Sequence, residues 1–404
     1  MKICFITSLY PPIAFGGATG VAQMEAEYLT NKGNRVFVIT TSPDKSYHIE
    51  WINNVKVYRL PPSNIYTFYE NFKNQNLHGL PSKILWHIID TFNFKIANKV
   101  REIINKEKPD IIHVHNFKGL STIFFNKIKA PIVFTAHDYS ILCPKANLLR
   151  SDDTICKKKL LPCSVYTIIN RALLDNKIDV VISPSEFLIG KFKENGLFKK
   201  AKLISLPNPI KLNKRRSPPK FYDKLRILYV GELSKSKGLH VLIKAFKKIS
   251  NATLHIYGKG KDENYFKKMA KNNEDMIFHG YANGFEELKE AYERANVTVV
   301  PSIWYEVFGM IIIESFVCST PVVASRIGGI PELVRDGYNG FLFEPGNVDE
   351  LADILNEISG NPRILRKLEK GARESSKKYD IKEHINKLEE IYRSLTGKNH
   401  KRTK

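Results

Sequence analysis

Two Rossmann-like parallel-sheet α/β domains facing an interdomain cleft form the architecture that this sequence predicts, on three observations. Short apolar runs alternate with longer stretches of helical period, the pattern of βαβ units and a parallel sheet. The alternation stops at residues 206–220, LPNPIKLNKRRSPPK, rich in Pro and Lys/Arg and poor in apolar residues, and then restarts. The length, 404 residues, exceeds what one ordinary core organises, because domains cluster near ~150 residues. The expected division is a first domain over 1–205, a linker over 206–220 and a second domain over 221–379. A C-terminal helix at about 380–395 is placed to pack back on the first domain.

The elements follow in order. Lys2–Ser8 is a buried strand, Pro11-Pro12 and Gly16-Gly17 make a loop, and Gly20–Lys32 is a helix stopped by Gly33. Arg35–Thr40 is the second strand. Ile84, Ile88, Phe92, Ile96 and Val100 recur every four residues and mark a helix. Asp110–His115, Pro131–Thr135 and Val180–Ser183 are further buried strands, each ending near polar residues. After the linker come a strand at Arg226–Val230 and a helix at Leu239–Ser250. Strands follow at Thr253–Tyr257, Met276–His279, Val297–Pro301, Pro321–Ala324 and Gly340–Phe343. A helix over roughly Lys382–Leu395 precedes a frayed basic tail, NHKRTK.

Composition bounds the function. Hydrophobic residues are 43% and charged residues 26%, ordinary for a globular chain and outside the disordered and collagen-like classes. Five cysteines, an odd and low count, argue against a disulfide scaffold and fit a reducing, cytoplasmic setting. No stretch of ~20 residues is apolar without charge, so no membrane span is expected. The short apolar run Ile3–Leu9 lacks a cleavage site and reads as a strand, not a signal peptide. With 63 Lys+Arg against 41 Asp+Glu the net charge is +22, which favours anionic partners. The excess is spread over both halves, which argues against a localised nucleic-acid-binding face.

Several segments could carry chemistry. Gly16-Gly17 stands between the first strand and the first helix, where backbone N–H groups and the helix end attract an anion, or where a plain tight turn suffices. It lacks the GxGxxG spacing of nicotinamide binding. GELSKSKG (231–238) follows a strand and opens a helix, with Lys237 placed to neutralise phosphate; GxxxxGK[ST] is absent. Glu306 and Glu314 bracket VFGMIII. If helix begins near Gly309, Glu306 lies before it and Glu314 one turn inside, with free N–H groups between them. Two carboxylates in an apolar stretch need partners or a ligand. His137 ends a strand, where cleft residues belong. His113 and His115 share a strand face, and Cys143, Cys156 and Cys163 cluster after His137; neither group has complete metal-ligand spacing, and free thiols are the default.

These residues together resemble the retaining glycosyltransferases of family 4, which have the GT-B fold, over nearly the whole chain. The strongest parts are PSIWYEVFGMIIIESFVCSTPVVAS, with its E-x7-E pair, and RIGGIPELVRDGYNGFLFEPGN. VGELSKSKG resembles the phosphate-binding turn of the second domain and PPIAFGGATG the glycine loop of the first. HVHNFKGLSTIF and FTAHDYSILCPKANLLR resemble the acceptor-side segments. The resemblance implies transfer of a sugar from a nucleotide-diphosphate-sugar to a glycan, lipid-linked or similar hydroxyl acceptor, with retention and without a metal or other cofactor. Glu314 would bind the ribose. Glu306 would hold donor-sugar hydroxyls, and the backbone of Phe308, Gly309 and Met310 would surround sugar and phosphates. Lys237, Gly16 and Gly17 would contact the diphosphate, and His137 the sugar near the reacting carbon. The family usually has Arg after the glycine at Gly231, where this chain has Glu232. Either Glu232 points away, a cation such as Lys235 or Arg326 substitutes, or the enzyme is impaired.

Residues 63–100 combine Tyr66, Phe68, Tyr69, Phe72, Trp86 and Phe92 with several Lys. That mixture suits either a core-facing helix or a segment lying on an anionic membrane, which would place the protein on the inner face beside a lipid-linked acceptor. A sugar-nucleotide epimerase or phosphorylase of the same fold is the alternative enzyme, and a basic nucleic-acid-binding protein the alternative class.

Overall fold

A computed structural model describes residues 1–13, 17–44, 46–69, 78–212 and 220–399. Gly16, Phe72, the linker centre 213–219 and the tail from His400 lie outside the described residues. The first lobe runs β1 Lys2–Ile6, α1 Gly17–Asn31, β2 Arg35–Thr41, β3 His48–Ile52, β4 Val55–Leu60, α2 Leu80–Thr91, α3 Phe94–Glu107, β5 Ile111–Val114, β6 Ile132–Thr135, α4 Leu161–Leu174, β7 Val180–Ser183, α5 Glu186–Glu194 and β8 Lys202–Ser205. Its eight strands order as β3-β4-β2-β1-β5-β6-β7-β8, parallel except for the β3–β4 pair at one edge. The second lobe runs β9 Leu225–Val230, α6 Leu239–Phe246, β10 Ala252–Tyr257, α7 Glu263–Ala270, β11 Met276–Gly280, α8 Phe285–Arg294, β12 Val297–Val300, α9 Met310–Val317, β13 Val322–Ser325, β14 Gly340–Phe343, α10 Val348–Ser359 and α11 Pro362–Ser376. Its six strands, β11-β10-β9-β12-β13-β14, are all parallel. The central strands of both sheets are near-continuous apolar runs because both faces are covered by helices.

Two chain crossings join the lobes side by side. The Ile210 N–H donates to the Tyr379 carbonyl at 2.8 Å, and the Ile381 N–H returns to the Ile210 carbonyl at 3.1 Å. Beyond that crossing, α12 (Ile381–Asn399) lies against α1 and buries Ile385, Leu388 and Tyr392 in the first lobe's core. Each such side chain contributes about 1.5–3 kcal/mol of burial, so the last helix belongs physically to the lobe that begins the chain.

The four-residue apolar stripe from Ile84 to Val100 is not one helix. It splits at Phe92 and Asn93 into α2 and α3, and the Asn93 side chain caps α3 by accepting from the Ile96 N–H at 3.1 Å. Ile96 and Val100 are buried, but Ile84, Ile88 and Phe92 are exposed. Tyr66, Tyr69 and Trp86, by contrast, turn inward. The predicted helix at 239–250 is shorter, ending at Phe246.

Candidate active site

The carboxyl ends of the two sheets face each other, where ligands of open parallel sheets bind. In the second lobe, the loop 301–309 after β12 carries Trp304, Tyr305 and Val307 against the first lobe's core and Glu306 into the cleft. Three donors converge on Glu306 Oε1: Lys237 Nζ at 2.7 Å, Ser302 Oγ at 2.7 Å and Trp304 Nε1 at 2.8 Å. Burial pushes the Glu306 carboxyl up, but the Lys237 ammonium and these hydrogen bonds outweigh it and hold the group below the usual range. Glu306 is therefore ionised. Lys237 reaches it because Gly238, at φ +75°, presses its turn onto that loop; a Cβ there would stand 1.7 Å from the Pro301 carbonyl oxygen. The ammonium also lies 4.5 Å from the centre of the Trp304 ring.

Gly309, at φ +111°, is the N-cap of α9. Glu314 sits one turn inside, where its Oε2 accepts from Tyr292 Oη of α8 at 2.8 Å. Burial raises the Glu314 carboxyl and this hydrogen bond only partly offsets it. Across the cleft, Gly17 opens α1, and a Cβ on it would stand 2.9 Å from Met310 Cγ. The N-terminal ends of two helices, each with partial positive charge, thus face one another across the cleft. The Phe308 side chain is buried against Tyr379, ring centres 6.1 Å apart, so it offers the cleft only its backbone.

The substitution at Glu232 resolves in part. Glu232 is exposed. Arg326 is engaged by Asp336 at 3.2 Å and Glu344 at 3.4 Å. Lys235 lies over the Tyr265 ring at 5.1 Å and lines a cavity of about 490 Å³ with His240 and, from the first lobe, Asp152–Ile155 and Lys157. Neither Glu306 nor Glu314 lines that cavity.

His137 follows β6 at the cleft, with a buried network behind it. Its Nε2 lies 2.8 Å from His115 Nδ1. His115 Nε2 lies 3.5 Å from Glu25 Oε2 of α1, and neither atom has a closer partner. Glu25 Oε1 meets His384 Nε2 of α12 at 3.0 Å, and His384 Nδ1 meets the Pro207 carbonyl at 3.0 Å. A carbonyl only accepts, so His384 Nδ1 carries a proton. In the His115–His137 contact one imidazole donates and the other accepts, and His137 Nδ1 has no hydrogen-bond partner among the described residues. Burial first, and the His384 charge second, depress the His137 imidazole to about 3, so it is neutral at physiological pH. Glu25, His113 and His115 bring ligand atoms within 4.8 Å of one another, as a buried cation would require. His113, however, has Nδ1 on Tyr392 Oη and Nε2 on Thr135 Oγ1, each at 2.7 Å. Two open ligand atoms remain, fewer than a tetrahedral site uses, so the cluster reads as a hydrogen-bond network. All five cysteines are free thiols.

Sequence reasoning missed Trp304, Ser302 and Tyr292, which position the two glutamates, and Glu25 and His384, which stand behind His137. Trp304 lies inside the quoted motif, but no local pattern links residue 25 to residue 384. The lobes are held together by Tyr139 Oη donating to the Tyr305 carbonyl at 3.0 Å, by Lys261–Asp153 at 2.8 Å, and by Glu332 accepting the N–H groups of Glu186 and Phe187 at 2.8 Å each.

Comparison with known proteins is consistent along the chain. The family model described as Glycosyltransferase Family 4 matches residues 15–214, and that described as Glycosyl transferases group 1 matches 211–375. An uncharacterized glycosyltransferase of Methanocaldococcus jannaschii is 31% identical, covering 87% of each chain. An uncharacterized 42.6 kDa protein in the cps region of Klebsiella pneumoniae is 30% identical over 85% of this chain and 90% of its own. Among solved structures, sucrose-phosphate synthase from Thermosynechococcus elongatus superposes with a TM-score of 0.77 at 21% identity, covering 98% of this chain and 99% of that one. Anabaena HepE in complex with UDP gives 0.72 at 20% identity, covering 98% and 100%.

Proposed function

The chain belongs to the family 4 glycosyltransferases, and from that premise we propose that it moves a sugar from a nucleotide-diphosphate-sugar to a hydroxyl acceptor with retention of configuration, in assembly of a cell-surface polysaccharide or glycolipid. The observation that carries this reading is the Lys237–Glu306 pair beside the N-terminus of α9, opposite the N-terminus of α1. One ligand bearing both a diphosphate and a polyol uses every one of those groups. The cps-region relative supports the setting, and the UDP and UDP-glucose complexes of Anabaena HepE support a nucleotide-sugar donor.

The anomeric carbon–oxygen bond breaks and negative charge grows on the departing diphosphate oxygen. Lys237 and the two helix ends stabilise that charge more in the transition state than in the ground state. Glu306 orients the sugar through its hydroxyls and Glu314 receives the ribose. His137 Nδ1 accepts a sugar hydroxyl, and being neutral it is no proton source. The acceptor oxygen attacks from the leaving-group side and gives its proton to the departing phosphate, which retains the configuration.

The test is a thermal-shift panel of nucleoside diphosphates and their sugars, followed by product analysis with a radiolabelled donor. One nucleotide series should raise the melting temperature, since a ligand at 100 times its Kd adds about 2.7 kcal/mol. Lys237→Ala should lower kcat by about 10²–10³-fold. Stabilisation by no nucleoside diphosphate, or a Lys237→Ala variant that changes KM alone, would overturn the proposal.

A further inference from the structure

Ten of the nineteen large hydrophobic side chains exposed among the described residues lie on two neighbouring helices of the first lobe and their immediate ends. Leu80, Ile84 and Ile88 project from α2, and Leu161, Val165 and Ile168 from α4. Both helices rest on the turn at Thr122–Phe125, and they touch through the rings of His87 and Tyr166, 6.0 Å apart. Their outward sides are therefore parts of one surface. Such a concentration of exposed aliphatic side chains is what a soluble face avoids unless something covers it.

The charge along the two helices is mainly basic, with Asp152 and Asp153 before α4 and Asp175 after it. Residues 80–95 contain one acid, Asp90, which is buried, and residues 154–174 contain none. Lys95, Lys157, Lys158 and Arg171 are exposed along its edges. We propose that this face seats the protein on an anionic lipid surface, with the aliphatic side chains entering the headgroup boundary and the basic rim meeting lipid phosphates. A second copy of the chain is a poorer occupant, since a two-fold interface would bring the same basic rim against itself. The inner side of α2 turns Trp86 and Asp90 into a recess shared with Thr41, Ser42 and Gly119 at the carboxyl end of β2, so the seated face and the cleft side of the lobe are two sides of one helix. The inference goes beyond the transfer reaction and does not depend on it, because seating requires no donor.

Flotation of the full chain with vesicles decides the matter, comparing phosphatidylglycerol–phosphatidylcholine with phosphatidylcholine alone. The wild type should bind the anionic vesicles at least about tenfold more tightly. A variant carrying Ile84→Gln, Ile88→Gln, Leu161→Gln and Ile168→Gln should lose at least about tenfold. A second variant, Lys157→Glu with Lys158→Glu, should lose the preference for anionic lipid, and it keeps the test open should the first fail to fold. Absence of wild-type binding, or unchanged flotation of a folded variant, overturns the proposal. A wild-type dimer that the apolar variant converts to monomer, with no flotation of either, assigns the face to self-association and also overturns it. Nucleotide-induced stabilisation measured on the same samples reports separately on the transfer reading.

Discussion

At the scale of single residues, the first lobe holds a buried carboxylate at an energetic cost. Asp90 is buried, accepts the Gly119 N–H at 2.7 Å, and is pushed up to about 6, chiefly by burial, with Lys118 and that hydrogen bond pulling the other way. The folded state therefore binds the proton more tightly than the unfolded chain. Its stabilising contribution is full below about pH 4 and is lost as pH rises through 6, a loss of about 3 kcal/mol. Asp90→Asn keeps an acceptor for Gly119 and removes the titration. Urea unfolding of both proteins should show the variant gaining about 3 kcal/mol on wild type between pH 4 and pH 7; a pH-independent difference sinks the account. The adjacent cleft residues divide in how readable they were. Glu306 and Glu314 stood out because charge in an apolar run demands a partner. Glu25 gave no such signal, since a glutamate in a helix of mixed polarity reads as a surface residue until the fold buries it.

At the scale of elements, period and punctuation located the central strands, because buried parallel strands are continuous apolar runs, and the helices α1, α6 and α12, while α4, α5, α7, α8, α10 and α11 went unnamed. The β3–β4 edge pair and β8 went unnamed. β3 alternates between half-buried and exposed positions, Lys56 and Arg59 interrupt β4, and β8 has no fully buried residue, so none of them leaves a continuous apolar run. The stripe from Ile84 was read correctly as helical and wrongly as one helix, since period reports an apolar face but not what covers it. One contact between elements has a measurable consequence. Glu332 of the second lobe accepts the first two N–H groups of α5, which belongs to the first lobe, so it caps a helix across the cleft. Glu332→Ala removes both acceptors and the favourable charge at that helix end, at a cost of about 1 kcal/mol. The melting temperature should fall by a few degrees, and small-angle scattering of the donor-free protein should give a larger radius of gyration as the lobes part. An unchanged radius would show that the loop carrying Trp304, Tyr305 and Val307 is sufficient to hold the cleft.

At the scale of the whole molecule, the network behind His137 ties three distant parts of the chain together: α1 through Glu25, the ends of β5 and β6 through His115 and His137, and α12 through His384. Such a core has a signature in pH. His87 and His137 are each depressed to about 3, in both cases mainly by burial, and burial likewise holds His113 and His115 well below the ordinary imidazole range. Folded, all four are neutral; unfolded, each takes a proton below about pH 6.5. Groups depressed in the folded state contribute stability that is present above their unfolded value and is lost as pH falls. By pH 5 each has cost about 2 kcal/mol, and four together approach the 5–15 kcal/mol that holds an ordinary domain. Asp90 and the other carboxyls that burial raises, Asp138, Glu314 and Glu369, work in the opposite sense over part of this range. Most surface carboxylates titrate lower, so the imidazoles supply the larger change between pH 7 and 5. Urea midpoints followed by far-ultraviolet circular dichroism should fall steeply across it. Fluorescence of Trp86, Trp51 and Trp304 should report the same transition, because the first lobe cannot lose its core while α12 stays docked on it. A midpoint that holds steady from pH 7 to 5 would mean that the imidazoles are hydrated or already charged in the folded protein, and the assignment of His137 as a neutral acceptor in the cleft would fall with it.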